Sequence, residues 1–133
     1  MKLDINNYLE LLDVANKSDN GLARLILHTH KSEKVQLMII AIKEGVVYPP
    51  ISDQDPGWIV FSVIKGSLII NTYEYNHGIK KATSSNFLKQ GEIIKLKRDI
   101  YRETICNNQT GTIYMEIIEG KFDRRRRRIL MNK

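Results

Sequence analysis

Gly45-Val46-Val47-Tyr48-Pro49-Pro50-Ile51-Ser52-Asp53, running on to Trp58-Ile59-Val60-Phe61-Ser62-Val63-Ile64-Lys65-Gly66, is the stretch that decides the fold. Glycine punctuates it at both ends, and the segment from Trp58 onward is rich in β-branched and aromatic residues that suit a pleated, half-buried surface. A second glycine-led block repeats the pattern: Gly91-Glu92-Ile93-Ile94-Lys95-Leu96-Lys97-Arg98-Asp99-Ile100-Tyr101-Arg102. Between the glycines, Pro49-Pro50 and Asp55-Pro56-Gly57 bracket a loop that the missing proline N–H groups bar from a central strand.

Outward from these blocks the period of the apolar residues changes once. Leu3, Ile5, Tyr8, Leu9 and Leu12 recur at helical spacing, which predicts one amphipathic helix stopping between Asn16 and Gly21. Beyond it, Ala23, Leu25 and Leu27 alternate with Arg24 and His28, and Val35 to Ile42 is a near-continuous apolar run, the signature of a strand buried on both faces. Further strands are expected at about 58–64, 67–75, 92–96, 101–106 and 112–118, with turns at Asn76-His77-Gly78 and Asn107-Asn108-Gln109-Thr110-Gly111. A helix followed by regularly spaced short strands predicts an all-β barrel or sandwich.

A chain of 133 residues fits one domain with a core that needs no disulfide. Its single cysteine, Cys106, permits neither an intrachain disulfide nor a thiolate zinc cluster. The longest apolar run, Leu37 to Ile42, falls far short of the ~20 residues that span a bilayer, and Met1 to Asn7 lacks a signal-peptide core. The expected location is the cytosol. The net charge of +6 belongs to the last residues, where Lys121, Arg124 to Arg128 and Lys133 stand against Asp123. Residues 1–120 balance, so no basic field steers the body toward nucleic acid.

The order and spacing of the two glycine blocks resemble the cupin superfamily. The flanks, Leu25-Ile26-Leu27-His28, Val35 to Gly45, Trp58, and Glu116-Ile117-Ile118-Glu119-Gly120-Lys121-Phe122-Asp123, are similar to the WbuC family of small cupin-fold proteins. The resemblance covers most of residues 22–123. It implies a single jelly-roll cupin barrel over 22–120, preceded by a helical segment over 1–21 and followed by a basic tail over 121–133. It also implies a setting in bacterial O-antigen or surface-polysaccharide biosynthesis, and a homodimer, since exposed sheet edges need covering. The metal ligands do not carry over. The two histidine positions of the first block hold Ile51 and Asp53, the glutamate position holds Ile59, and the last histidine position holds Arg102. Isoleucine cannot donate to a metal and arginine is a fixed cation, so no metal cofactor is expected at that site.

What remains suits an anion. Asp53 and Arg102 would face one cavity, where an unpaired guanidinium is costly. Arg102 should therefore pair with Asp53, with Glu103, or with a bound carboxylate or phosphate. An Asp53–Arg102 pair could equally be a plug filling the former metal site. Tyr48, Trp58, Phe61 and Tyr101 are expected around the mouth, offering flat faces to a sugar or base. The leading expectation is a metal-free binder of a small anionic ligand such as a nucleotide sugar or sugar acid. One alternative is a sugar-nucleotide isomerase or epimerase with a metal site rebuilt from His28, His30 and Asp53, which needs both histidines on one strand face. Another is an adaptor that binds nucleic acid or an anionic surface through Arg124 to Arg128. The absence of interleaved aromatics counts against the adaptor. A solvated tail, or one pinned to a partner subunit by Ile129, Leu130 and Met131, is the plainer expectation. Glu116 and Glu119 are spaced for opposite strand faces, which argues against a catalytic carboxylate pair.

Overall fold

The computed structural model describes residues 2–130. Helix α1 (Ile5–Lys17) starts where Asp4 accepts hydrogen bonds from the Asn6 and Asn7 N–H groups while the Asn7 side chain accepts from the Asp4 N–H. That reciprocal cap satisfies donors the helix itself leaves unpaired. Leu12 and Ala15 on its inner face pack against Ala23, Ile39, Ala41 and Ile113.

Ten strands follow: β1 (Leu22–Ile26), β2 (Val35–Ile42), β3 (Val47–Ser52), β4 (Trp58–Lys65), β5 (Ser67–Asn76), β6 (Ile79–Lys89), β7 (Ile93–Lys97), β8 (Tyr101–Ile105), β9 (Thr112–Glu119) and β10 (Arg128–Ile129). They form two five-stranded antiparallel sheets, ordered β1-β2-β9-β4-β7 and β10-β3-β8-β5-β6. Helix α1 covers the outer face of the first sheet, and the main core lies between the sheets, with Ile40, Ile42, Ile59, Phe61, Leu68 and Ile70 among its buried members. Strand β4 shows why: Ile59, Phe61 and Val63 alternate inward, and each buried side chain of this size contributes about 1.5–3 kcal/mol. Gly66 links β4 to β5 at φ +88, and a Cβ there would come within 2.8 Å of the Gly111 carbonyl. Only glycine makes that corner without displacing backbone.

Four sequence expectations change. Pro49 and Pro50 do lie within a strand, since β3 is threaded between β8 and β10. The register between β3 and β8 slips between Tyr48 and Ile51, so the prolines occupy an irregularity where no ladder N–H is required. Strand β6, which the sequence did not signal, pairs with all of β5 through the expected turn, where His77 and Gly78 take φ 52 and 79. Strand β1 ends at Ile26, so His28 and His30 belong to the connection to β2 and not to one strand face. The basic C-terminal segment folds back onto its own chain. It makes a 3-10 turn (Arg124–Arg126) and pairs β10 with β3, and Leu130 N–H donates to the Pro50 carbonyl at 2.8 Å. Met131, named as part of the tail's apolar anchor, lies outside the described residues.

Candidate functional site

A cavity of about 510 Å³ opens between the sheets. The first sheet contributes Arg24 from β1, Phe61 from β4, and Tyr114 and Glu116 from β9; the second contributes Tyr48 from β3 and Arg102 from β8. Residues 121–130 close one side as an arm, bringing Phe122, Arg127 and Ile129 to the lining. The parity of the strands decides who faces in. On β9 the even positions through Tyr114, Glu116 and Ile118 line the cavity, while Ile113 and Met115 pack beneath α1.

At the cavity's foot Asp53, 2 % exposed, follows directly on β3. Its Oδ2 accepts from Arg98 Nε at 3.2 Å and Arg102 Nη2 at 3.1 Å, and its Oδ1 accepts from Arg127 Nε at 2.8 Å. Burial by itself would raise the proton affinity of this carboxyl, but the Arg102 and Arg127 guanidiniums outweigh it and hold Asp53 below the usual carboxylate range. Arg98 is equally buried and spends its other nitrogens on the Glu119 and Lys121 carbonyls, at 3.1 and 2.8 Å. Arg102 Nη1 donates to the Arg98 carbonyl at 3.1 Å. The expected Asp53–Arg102 pair is therefore present inside a larger knot, in which one carboxylate serves three guanidiniums. Glu103 is not part of it. It points to the other face of β8, where Asn71 Nδ2 and Tyr73 Oη–H donate to it.

Glu116 is the opposite case. It is enclosed by the cavity and accepts no hydrogen bond among the described residues. Burial pushes its carboxyl above the ordinary range despite the opposing Arg102 and Arg127 charges. The Tyr114 hydroxyl beside it is driven well above its usual value by burial and by the Glu116 charge.

Not all the expected site residues meet. Tyr48 and Phe61 line the cavity with Arg102, and the Arg24 guanidinium stands 6.0 Å from the Tyr48 ring centroid. Trp58 does not join them. With Ile59 and Phe61 turned inward, the alternation of β4 puts its indole on the outer face, in a groove with Lys34, Val35 and Glu119, where Lys95 Nζ lies 5.7 Å from the ring centroid. Tyr101 likewise projects away from the cavity and meets Tyr75 edge-on at 6.1 Å. Arg24, Arg98, Tyr114 and Arg127 were not singled out from sequence. Strand parity was the available signal for Arg24 and Tyr114; nothing distinguished Arg127 within five consecutive arginines.

Cupin folds commonly serve metals, and the donor set here does not fit one. Ile51 and Ile59 are buried aliphatics, and Arg102 is a cation bonded to Asp53, whose two oxygens are already engaged. The rebuilt His28–His30–Asp53 site does not assemble. The Leu37 N–H donates to His28 Nδ1 at 3.1 Å, and His30 Nδ1 lies 2.6 Å from Ser32 Oγ. No group of three or more His, Cys, Asp or Glu side chains among the described residues could hold a metal ion. Of the arginine run, Arg126 and Arg127 are spent on Asp55 and Asp53, which reduces the charge available to a polyanion.

No protein-family model matches the chain, and no curated protein does. Solved structures match it in fold. Oxalate oxidase aligns at TM-score 0.64 and 17 % identity over 78 % of this chain; the chain spans about half, 53 %, of that protein. The Cupin_2 domain of an XRE family transcriptional regulator from Enterobacter cloacae aligns at TM-score 0.58 and 14 % identity, covering 74 % of this chain and 95 % of that one. KdgF from Halomonas sp. aligns at TM-score 0.58 and 12 % identity, covering 77 % and 81 %. At such identities the likeness is one of fold. The chain has a cupin-like fold, and no helix among the described residues is long and apolar enough to cross a membrane.

Proposed function

We propose that this cupin-like protein binds a small anionic ligand in the cavity between its sheets, without the metal ion that cupins commonly hold. The observation that carries the reading is the charge imbalance at the Asp53 knot. Arg102 and Arg127 line the cavity while sharing one carboxylate with the buried Arg98, and Arg24 adds a further guanidinium from the facing sheet. Planar guanidiniums with unused donors in an enclosed space suit a carboxylate or phosphate. The volume falls in the range of small-molecule sites, roughly 300–1,000 Å³. A protein of similar fold, oxalate oxidase, has been solved with the substrate analogue glycolate, a small acid. Together with the resemblance to WbuC proteins, this favours a sugar acid or nucleotide sugar of surface-polysaccharide synthesis, bound by a single jelly-roll barrel that acts in the cytosol as a homodimer.

Arg102 and Arg127 hold the anion, Asp53 fixes both guanidiniums, and Tyr48 and Phe61 supply the wall. Calorimetric titration of the full chain with D-glucuronate and with D-glucose tests this. The acid should bind, more weakly at high salt and at least about tenfold more weakly in Arg24→Gln. Equal affinity for acid and neutral sugar would remove the basis for the reading.

A further inference from the structure

Polar groups on the cavity wall divide by chemistry. The knot side offers guanidinium donors, while the wall formed by β2 and β9 holds two acceptors that no donor among the described residues reaches. Glu116 is one of these: its carboxylate has no hydrogen-bond partner among the described residues. Gln36 is the second. It is 1 % exposed, and its Nε2 donates to the His30, Lys31 and Glu33 carbonyls, which fixes the orientation of the amide. Its Oε1 is then left buried with no partner. The two are neighbours by register. Gln36 pairs with Ile118 and Met38 pairs with Glu116, so Gln36 and Glu116 are diagonal partners on one sheet face, about 7–8 Å apart at their backbones.

Buried polar groups without partners are rare, because each forfeits its hydration with no return. Asp53 shows that this chain can saturate a carboxylate when the role is structural. Two neighbouring residues of one cavity wall thus hold acceptors that no described protein donor reaches, and a bound ligand can meet these with donors of its own. An ammonium would supply them, but Arg24, Arg102 and Arg127 all bear on the Glu116 carboxylate and would repel a cation. Neutral hydroxyl groups meet the need without that penalty.

We propose that Glu116 and Gln36 form a second, hydroxyl-recognising pole of the cavity, so that the ligand is a polyhydroxylated anion with its charged end on Arg102 and Arg127. This rests on the reading of the cavity as an anion site and narrows it, since simple anions and apolar acids leave the Glu116 pole unfilled. The charged end can be a carboxylate or a phosphate; the hydroxyl pole is common to both.

The test compares hydroxylated ring anions with bare carbocyclic counterparts carrying the same charged group. The full chain is titrated with D-glucuronate against cyclohexanecarboxylate, and with D-glucose 1-phosphate against cyclohexyl phosphate. The hydroxylated member of at least one pair should bind about tenfold or more tightly, the loss expected for removing hydrogen bonds to a charged group. Which pair shows the gap identifies the anion. In E116Q that gap should collapse while cyclohexanecarboxylate or cyclohexyl phosphate binds no more weakly than before, since the variant removes a negative charge from the cavity. If the hydroxylated and bare anions bind equally in the wild type, or E116Q weakens both alike, the hydroxyl pole is wrong and the anion site stands. If no anion binds, both fall. Should E116Q fold poorly, carboxyl-carbon NMR of the wild-type protein replaces it. The Glu116 resonance should move on addition of the hydroxylated anion and not of its bare counterpart; a resonance unmoved by either would overturn the proposal.

Discussion

Two carboxylates on opposite sheets of one domain meet opposite fates. Asp53, at the end of β3, accepts from three guanidiniums and is held ionised. Glu116, on β9, accepts from no group among the described residues, and burial favours its protonated form. The difference separates structure from recognition. A saturated carboxylate has its geometry fixed and nothing left to offer a ligand. An open one costs stability in the empty protein and recovers it only when something fills the cavity.

Removing the Asp53 charge should give the largest effect. Asp53→Asn takes from Arg102 its ion-pair partner and leaves Arg98 only Asp55, at 4.0 Å, with both guanidiniums under 6 % exposed. Breaking a buried pair from one side costs about 3–5 kcal/mol, which for a domain of this size lowers Tm by roughly 10 °C or more. Thermal unfolding at neutral pH measures it, and a variant melting with the wild type would show the knot to be dispensable. The sign with pH is fixed as well. The folded-state pKa of Asp53 lies below its ordinary value of 3.8. Its contribution is therefore complete above that value and fades as pH falls through the folded pKa, so the two melting curves should converge in strong acid.

Truncation after Gly120 comes next. It deletes Arg127, the Lys121 carbonyl that receives Arg98, and the Leu130–Pro50 bond, but it leaves Asp53 with Arg98 and Arg102. A loss of about 2 kcal/mol is expected, together with weaker anion binding, because the arm forms part of the cavity wall. Truncation that changes neither stability nor affinity would return the segment to a solvated tail.

At the other pole the sign reverses. Glu116→Gln removes a carboxyl whose folded pKa lies above its ordinary value of 4.5. For such a group the stabilising term is full below the unfolded value and is lost as pH rises through the folded one. The variant should therefore melt a few degrees above the wild type at pH 7–8, with the advantage disappearing below about pH 4.5. A variant destabilised at neutral pH would mean that Glu116 has a structural partner after all.

The sequence revealed the two poles unequally, for a physical reason. Alternation sent Glu116 and Glu119 to opposite faces, as observed on β9, where Glu116 lines the cavity and Glu119 the outer groove. The glycine spacing correctly placed Asp53 and Arg102 together. The rest of the knot was hidden because it is tertiary. Arg98 sits just past β7, outside any periodic pattern, and Arg127 lies 74 residues from the carboxylate it reaches. Strand β6 was silent because Ile79 to Asn86 is solvent-facing and polar, leaving no apolar period to read. Pro49 and Pro50 misled in the other direction, because the register slip removed the need for their N–H groups.

Trp58 gives the smallest effect. It was one of four aromatics expected at the cavity mouth, yet its parity is that of Val60, Ser62 and Ile64, not of Phe61. Trp58→Ala should change anion affinity by less than twofold, while Tyr48→Ala, on the cavity wall beside Arg24, should weaken it several-fold. Its cost to stability should be about 1 kcal/mol, from a half-buried ring and one exposed cation–π contact with Lys95. Parallel titration of the two variants isolates strand parity from aromatic character, since both delete an aromatic ring. Were Trp58→Ala the more damaging to binding, the ligand would have to lie in the outer groove with Lys34 and Lys121. The contrast between Asp53 and Glu116 would then concern an internal cavity and not a recognition site.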